Sequence, residues 1–187
     1  MWNYTVTIIY QLINQKRSNV MFEIGDYVVN ANNGICKITD IVLMDISEVK
    51  EDKKYYLLIP IGEKTAKVYV PVEKAEQRFR RIIEETQAWQ IIDEIPDIEE
   101  IHIKNDKERE QKYKEILRSG DLEKTIGVIK NIYRRKQVRT AQGKKNTVVD
   151  ERYFKMAEDN LYAELAFALG KEKEEMVQLI KDRIGKK

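Results

Sequence analysis

The sequence predicts an α+β protein, with a small antiparallel β-barrel followed by an all-α helical bundle. Three observations carry that expectation. The first half offers short β-rich runs with no helical pattern between them, which excludes parallel βαβ units. The second half repeats apolar residues at helical spacing. The charge changes sign between the halves. Residues 21–104 hold 11 Lys and Arg against 17 Asp and Glu, and residues 105–187 hold 21 against 15. The net charge of +2 conceals this division, which suggests two modules with different partners.

The first twenty residues, MWNYTVTIIYQLINQKRSNV, put a short apolar stretch ahead of Lys16 and Arg17. A secretory leader has the opposite order. They are expected to form a poorly ordered extension, 1–20, with Met21 as an alternative start. The first module is expected over 21–100. Its stretch EIGDYVVNANNGICKITDIVLMDI holds strand runs at Tyr27–Val29 and Gly34–Met44. Between them lies NANNG, whose Asn and Gly residues tolerate positive φ and suit a turn. The charged SEVKEDKK reads as a hairpin loop before a third strand, KKYYLLIPI. TAKVYVPV supplies a fourth, ended at Pro71, which has no N–H for a ladder. After VEKAEQRFRRI the pattern turns helical. Glu84 to about Ile95 places Trp89, Ile92 and Ile95 on one face, expected to pack against the barrel, and Pro96 ends it. PDIEEIHIKN is a polar joint and the expected boundary between modules.

The second module, 101–187, reads as helix. Asp106–Arg118 forms the first, stopped at Ser119-Gly120. Asp121 caps a second, in which Leu122, Ile126, Ile129 and Tyr133 recur as one stripe expected to be buried. Its end is expected near Gly143. Thr147 with Asp150 three residues on resembles a capping box and opens a third helix. That helix is expected to bury Phe154, Ala157, Leu161, Leu165 and Ala168 before stopping at Gly170. A last helix, about Lys173–Ile184, contributes Met176, Ile180 and Ile184. Four helices joined by short turns make a compact bundle.

Several kinds of chemistry find no residues to carry them. Cys36 is the only cysteine and His102 the only histidine, too few for an internal disulfide or a zinc site. Cys36 lies in the alternating run ICKI and reads as a buried thiol rather than half of a Cys–His pair. The phosphate loop G-x-x-x-x-G-K-[ST] is absent, as are G-x-G-x-x-G and G-x-S-x-G. No enzymatic activity, cofactor, metal or small-molecule substrate is expected. No apolar run approaches the roughly 20 residues that cross a bilayer, so no membrane role is expected.

One stretch does stand out. From Lys124 to Val149, 26 residues carry eight cations and no carboxylate. A solvated helix end explains one or two cations that offset the dipole. It does not explain a cluster that runs past the helix and lacks i, i+4 carboxylates. A polyanion footprint does, because clustered Lys and Arg neutralise phosphates and release counterions. A solvated face stays the bland alternative, and an acidic protein surface the other, which would make the chain a protein-only adaptor. The candidate phosphate contacts are Arg134, Arg135, Arg139, Lys144 and Lys145, with Lys112 and Lys114 as weaker ones.

MFEIGDYVVNANNGICKI resembles the opening of the CarD/CdnL family of bacterial transcription regulators, and KVYVPVEKAE is similar to its later strand and turn. KYKEILRSGDLEKTIGVIKNIYRRKQ and DERYFKMAEDNLYAELAFALG resemble that family's C-terminal domain. The resemblance covers roughly Met21–Ile184. It implies a Tudor/SH3-like barrel that binds the β subunit of bacterial RNA polymerase. It also implies a helical domain that contacts promoter DNA just upstream of the −10 element. The expected outcome is a modulated open-complex stability, for example at ribosomal RNA promoters, in the cytoplasm at the nucleoid. The docking strands are expected to present Tyr56, Leu58 and Ile59, with Val68, Tyr69 and Val70. Arg152 matches a basic position of the family. Two positions depart from it. Asp106 stands where studied members have a tryptophan that wedges into the minor groove, and Tyr69 replaces a polymerase-contacting arginine.

Overall fold

A computed structural model describes residues 22–44, 53–63, 65–103 and 105–185. The expected extension over 1–20 lies outside these residues, as does most of the charged hairpin loop. Five strands form one antiparallel sheet: β1 (Tyr27–Asn30), β2 (Gly34–Met44), β3 (Lys53–Pro60), β4 (Val68–Pro71) and β5 (Phe79–Arg81). Their spatial order is β4-β3-β2-β1-β5. Gly34 closes the β1–β2 turn at φ 65°, a conformation that glycine adopts without a Cβ clash. A register shift between Ile38 and Asp40 leaves Thr39 without a partner across the ladder, and its hydroxyl donates to the Leu57 carbonyl at 3.2 Å.

The α+β expectation holds, but the barrel does not close. β4 and β5 are the two edges of the sheet and pair with different strands. The chain crosses between these edges through a 3₁₀ turn and the four-residue helix α1 (Ala75–Arg78). Both edges still feed one core. Val70 and Phe79 are buried with Val28, Cys36, Ile38, Tyr56 and Leu58. Phe22 covers one side of that core. Its carbonyl accepts from the Tyr56 hydroxyl at 3.0 Å, and its ring meets Phe79 with centroids 4.6 Å apart.

The helical part comprises α2 (Glu85–Glu94), α3 (Arg109–Ser119), α4 (Leu122–Ala141), α5 (Val148–Leu169) and α6 (Met176–Ile184). The side chains of Asp121 and Thr147 accept from the backbone N–H groups of Lys124 and Asp150, each at 3.0 Å, so both N-caps are made, while the reciprocal Asp150 bond of a capping box is absent among the described residues. Helix α4 is packed on two sides. Leu122 and Ile126 join Ala88 and Ile92 of α2, Leu161 and Leu165 of α5, and Met176 of α6. Val128 and Ile132 join Tyr113 and Leu117 of α3, with Tyr153 and Ala157 of α5. Gly127 lies between these sets because the chain crosses α4 there. The Ile101 N–H donates to the Gly127 carbonyl at 3.2 Å.

Two expectations about the helices are corrected. Tyr133 is 54% exposed, because α4 outruns the core and none of residues 133–141 is buried. Trp89 does not pack on the sheet. Helix α2 lays its apolar face on α5 and α6, and Trp89 packs half-buried with that cluster while its ring carries the Arg183 guanidinium at 5.4 Å. Among the described residues, no helix is long and apolar enough to cross a membrane.

Candidate functional site

The acid-free stretch becomes α4 from Lys124 onward, the turn after it and the first residues of α5, and the end of α4 projects beyond the core. Thr147 caps α5, and Arg139 ties the turn to α4 by donating from Nε to the Lys145 carbonyl at 2.9 Å. The Lys144 ammonium donates to the Gln142 amide oxygen at 3.0 Å, and Lys145 is exposed beside it. Arg139, Lys144 and Lys145 thus share one end of the bundle. Among the described residues none of them has a carboxylate partner.

The other candidates are differently placed. Arg134 Nε donates to Glu100 at 2.6 Å, Arg152 is paired with Glu110 and stacked on Tyr153, and Lys112 lies 3.6 Å from Glu115. These pairs are solvent-exposed and contribute little on their own. Glu110 raises the pKa of Arg152 through their hydrogen bond. Lys114 is exposed on α3, with no ion pair among the described residues. Lys136, exposed within the projecting turns, was not among the sequence candidates, although it lies in the same acid-free window.

Arg135 is a correction. It is half-buried and faces inward, with Nε 3.3 Å from Asp150 and Nη1 3.8 Å from Asp106. Asp150 is fully buried, so it needs a cationic partner. Arg109, also buried, is paired with Asp106. Burial and the neighbouring charge of Arg135 lower its pKa. Beneath them the Tyr113 hydroxyl donates to Asn131 at 2.9 Å, and burial, then the Asp150 charge, pushes its pKa up to about 12. The cluster locks α3, α4 and the start of α5 together, and Arg135 is spent on it. Asp106 is a ligand of two arginines here.

The expected docking strands show the alternation of a sheet with one buried face. Tyr56, Leu58 and Val70 are core residues, 1%, 0% and 5% exposed, so their side chains cannot meet a partner. Ile59 and Val68 are half-buried, and Tyr69 is exposed. The outward set on β3 is therefore Tyr55, Leu57 and Ile59, with Leu57 opposite Tyr69 on the edge strand β4. The expectation was one residue out of phase at Tyr56 and Leu58, because every position of YYLLI is apolar enough to face either way.

Comparison with known families matches two consecutive segments of the chain. Residues 22–83 match the model described as the CarD-like/TRCF RID domain, and residues 90–181 match the CarD C-terminal domain. No curated protein matches the chain. The gap between the two matches falls where the chain leaves β5 and enters α2.

Proposed function

The chain belongs to the CarD/CdnL family of transcription regulators that interact with RNA polymerase, and from that premise we propose that it is a non-enzymatic regulator of initiation which bridges the polymerase β subunit and promoter DNA. The observation that carries the DNA half is the projecting end of α4. Its last turns and the loop beyond present Arg139, Lys144 and Lys145 without a carboxylate among the described residues. Lys114 adds to this charge, while exposed carboxylates hold Arg134 and Arg152. Contacts of this kind position a protein on duplex without reading bases. The promoter region just upstream of the −10 element and the ribosomal RNA promoters are the expected targets, and the cytoplasm is the expected compartment.

The polymerase half rests on the edge strand β4, which among the described residues pairs on one side only and lies beside an outward patch of Leu57, Ile59 and Tyr69. Exposed edges of this kind accept a partner strand. Asp106 in place of an apolar wedge removes the group that would hold DNA unstacked. The effect on open complexes is therefore smaller than a wedge-bearing member would give.

In vitro transcription with purified polymerase tests the whole reading. The chain should lengthen the open-complex lifetime, and Tyr69→Asp should abolish both that effect and capture of the β subunit. A lifetime unchanged by saturating protein overturns the reading. A chain that captures the β subunit but no duplex is instead the protein-only adaptor.

A further inference from the structure

Among the described residues, the sheet and the bundle do not share a hydrophobic core. One buried cluster draws on the sheet and α1, and the other two draw on the helices and the segment after β5. Between sheet and bundle lies a cavity of about 150 Å³, lined by Asn30 and Phe79 on one side and by Leu122, Asn160 and Ala163 on the other. An interface with little apolar packing leaves relative motion as the ordinary expectation. Something else must hold the two parts in register.

Glu164 of α5 is 2% exposed, on a helix whose neighbouring buried positions are Ala157, Leu161 and Leu165. An isolated carboxylate there would be costly. Its described partners all come from the chain at and just after β5. Arg80 grips both oxygens, Nη1 to Oε1 at 2.5 Å and Nη2 to Oε2 at 2.7 Å, and the Ile83 N–H donates to Oε1 at 3.3 Å. The same guanidinium donates from Nη2 and Nε to the Gly120 carbonyl at 2.5 and 3.2 Å. Gly120, between α3 and α4, has φ 69°, and a Cβ on it would lie 3.0 Å from Arg80 Nε. The bundle thus presents a socket built from one buried carboxylate, one carbonyl and one missing side chain. Only a planar fork of donors can satisfy all three points, which lysine cannot do. One turn further along α5, the Phe167 ring meets Tyr27 of β1 with centroids 4.9 Å apart.

We propose that Arg80 is a positioning residue: its insertion between Glu164 and Gly120 latches the sheet to the bundle at one fixed angle. Its consequence for function rests on the reading above. A bridging protein gains avidity only if both surfaces can engage at once. The latch presets the angle at which polymerase and duplex are met, although Arg80 need touch neither.

The test is a pair of spin labels at Glu73→Cys and Glu174→Cys, both exposed, in the full chain with Cys36 kept in its buried place. Double electron–electron resonance should give one narrow distance distribution for the unaltered latch. Arg80→Ala should broaden it, and Arg80→Lys should broaden it too, because a single ammonium keeps the charge but not the fork. If Arg80→Ala does not fold, the lysine variant decides the matter. A distribution as narrow as the parent's in the variant that folds overturns the proposal. In a second arm, Arg80→Lys should bind free duplex and free β subunit as the parent does, within about twofold. It should bind the polymerase–promoter complex about tenfold more weakly, the loss expected when two linked contacts no longer fit together. Equal binding to the complex counts against the latch. Absence of duplex or β-subunit binding by the parent overturns the bridging function but leaves the distance measurement to decide on the latch.

Discussion

Replacing Lys144 and Lys145 together by alanine should change the salt dependence of duplex binding by an amount the structure sets in advance. Eight cations were candidates for phosphate contact. Arg135 is committed to buried Asp150, and Arg134, Arg152 and Lys112 are each paired with a carboxylate. Lys114, Arg139, Lys144 and Lys145 remain without one among the described residues. At about 0.9 counterions released per contact, four contacts give a log–log slope of about −3.6, so raising salt from about 50 to 200 mM weakens binding about 150-fold. Eight contacts would give a slope of about −7 and a loss of about 10⁴-fold over the same range. The double variant should fall to a slope of about −1.8 and lose only about 12-fold. Fluorescence anisotropy of a labelled duplex, titrated at four salt concentrations, separates these cases. A slope unaltered by the double substitution, or a parent slope near zero, would refute the assignment of these lysines to phosphate.

Gly127→Ala probes the crossing of α4. Alanine ordinarily gains about 1 kcal/mol over glycine inside a helix. Here the added Cβ would lie 2.9 Å from the Glu99 carbonyl and 3.0 Å from the Ile101 side chain. The net expectation is a loss of about 1–3 kcal/mol in urea unfolding, and a stabilised variant would contradict the packing described. Cys36 gives a pH dependence. Burial lifts its thiol from 9.0 to about 11, so above pH 9 the unfolded chain releases a proton that the native one retains. The unfolded state then binds fewer protons, and stability falls as pH rises from about 9 to 11, by up to about 2.7 kcal/mol. Cys36→Ala should flatten that decline when urea unfolding is compared at pH 8 and 10.5. Parallel declines in the two proteins would assign it to other groups, beginning with Tyr113 and Tyr162, each pushed up to about 12.

Much of the fold could be read along the chain because its signals are local. Strand β2 runs from Gly34 to Met44 as expected, since a β-branched run follows an Asn-Asn-Gly turn. The caps at Asp121 and Thr147 and the stops at Gly120 and Gly170 need only the backbone groups of the next turn. Strand β5 had no such signal. Phe79–Arg81 is three residues long, two of them arginine, and becomes a strand because β1, some fifty residues earlier, offers a free edge. The same dependence on a distant partner decides whether the barrel closes, and no periodicity contains it.

The functional residues were harder to read for a related reason. A charge in a sequence looks solvated until its partner is known. Glu164 reads as an ordinary helical acid, yet it is buried because Arg80 arrives from 84 positions away. Arg135 looks like one more cation of the basic stretch, yet it faces inward because Asp150 is buried behind it. An exposed Arg134–Glu100 pair holds its charges in water at little cost, whereas Arg135 cannot leave without stranding a buried carboxylate. The division of labour among these cations therefore follows from the depth of their carboxylates. Counting basic residues overstates the phosphate contacts, and the described ion pairs cut the count from eight to four. This is also why the salt slope discriminates: a whole basic stretch on DNA and a partly self-neutralised one differ in the number of counterions they displace.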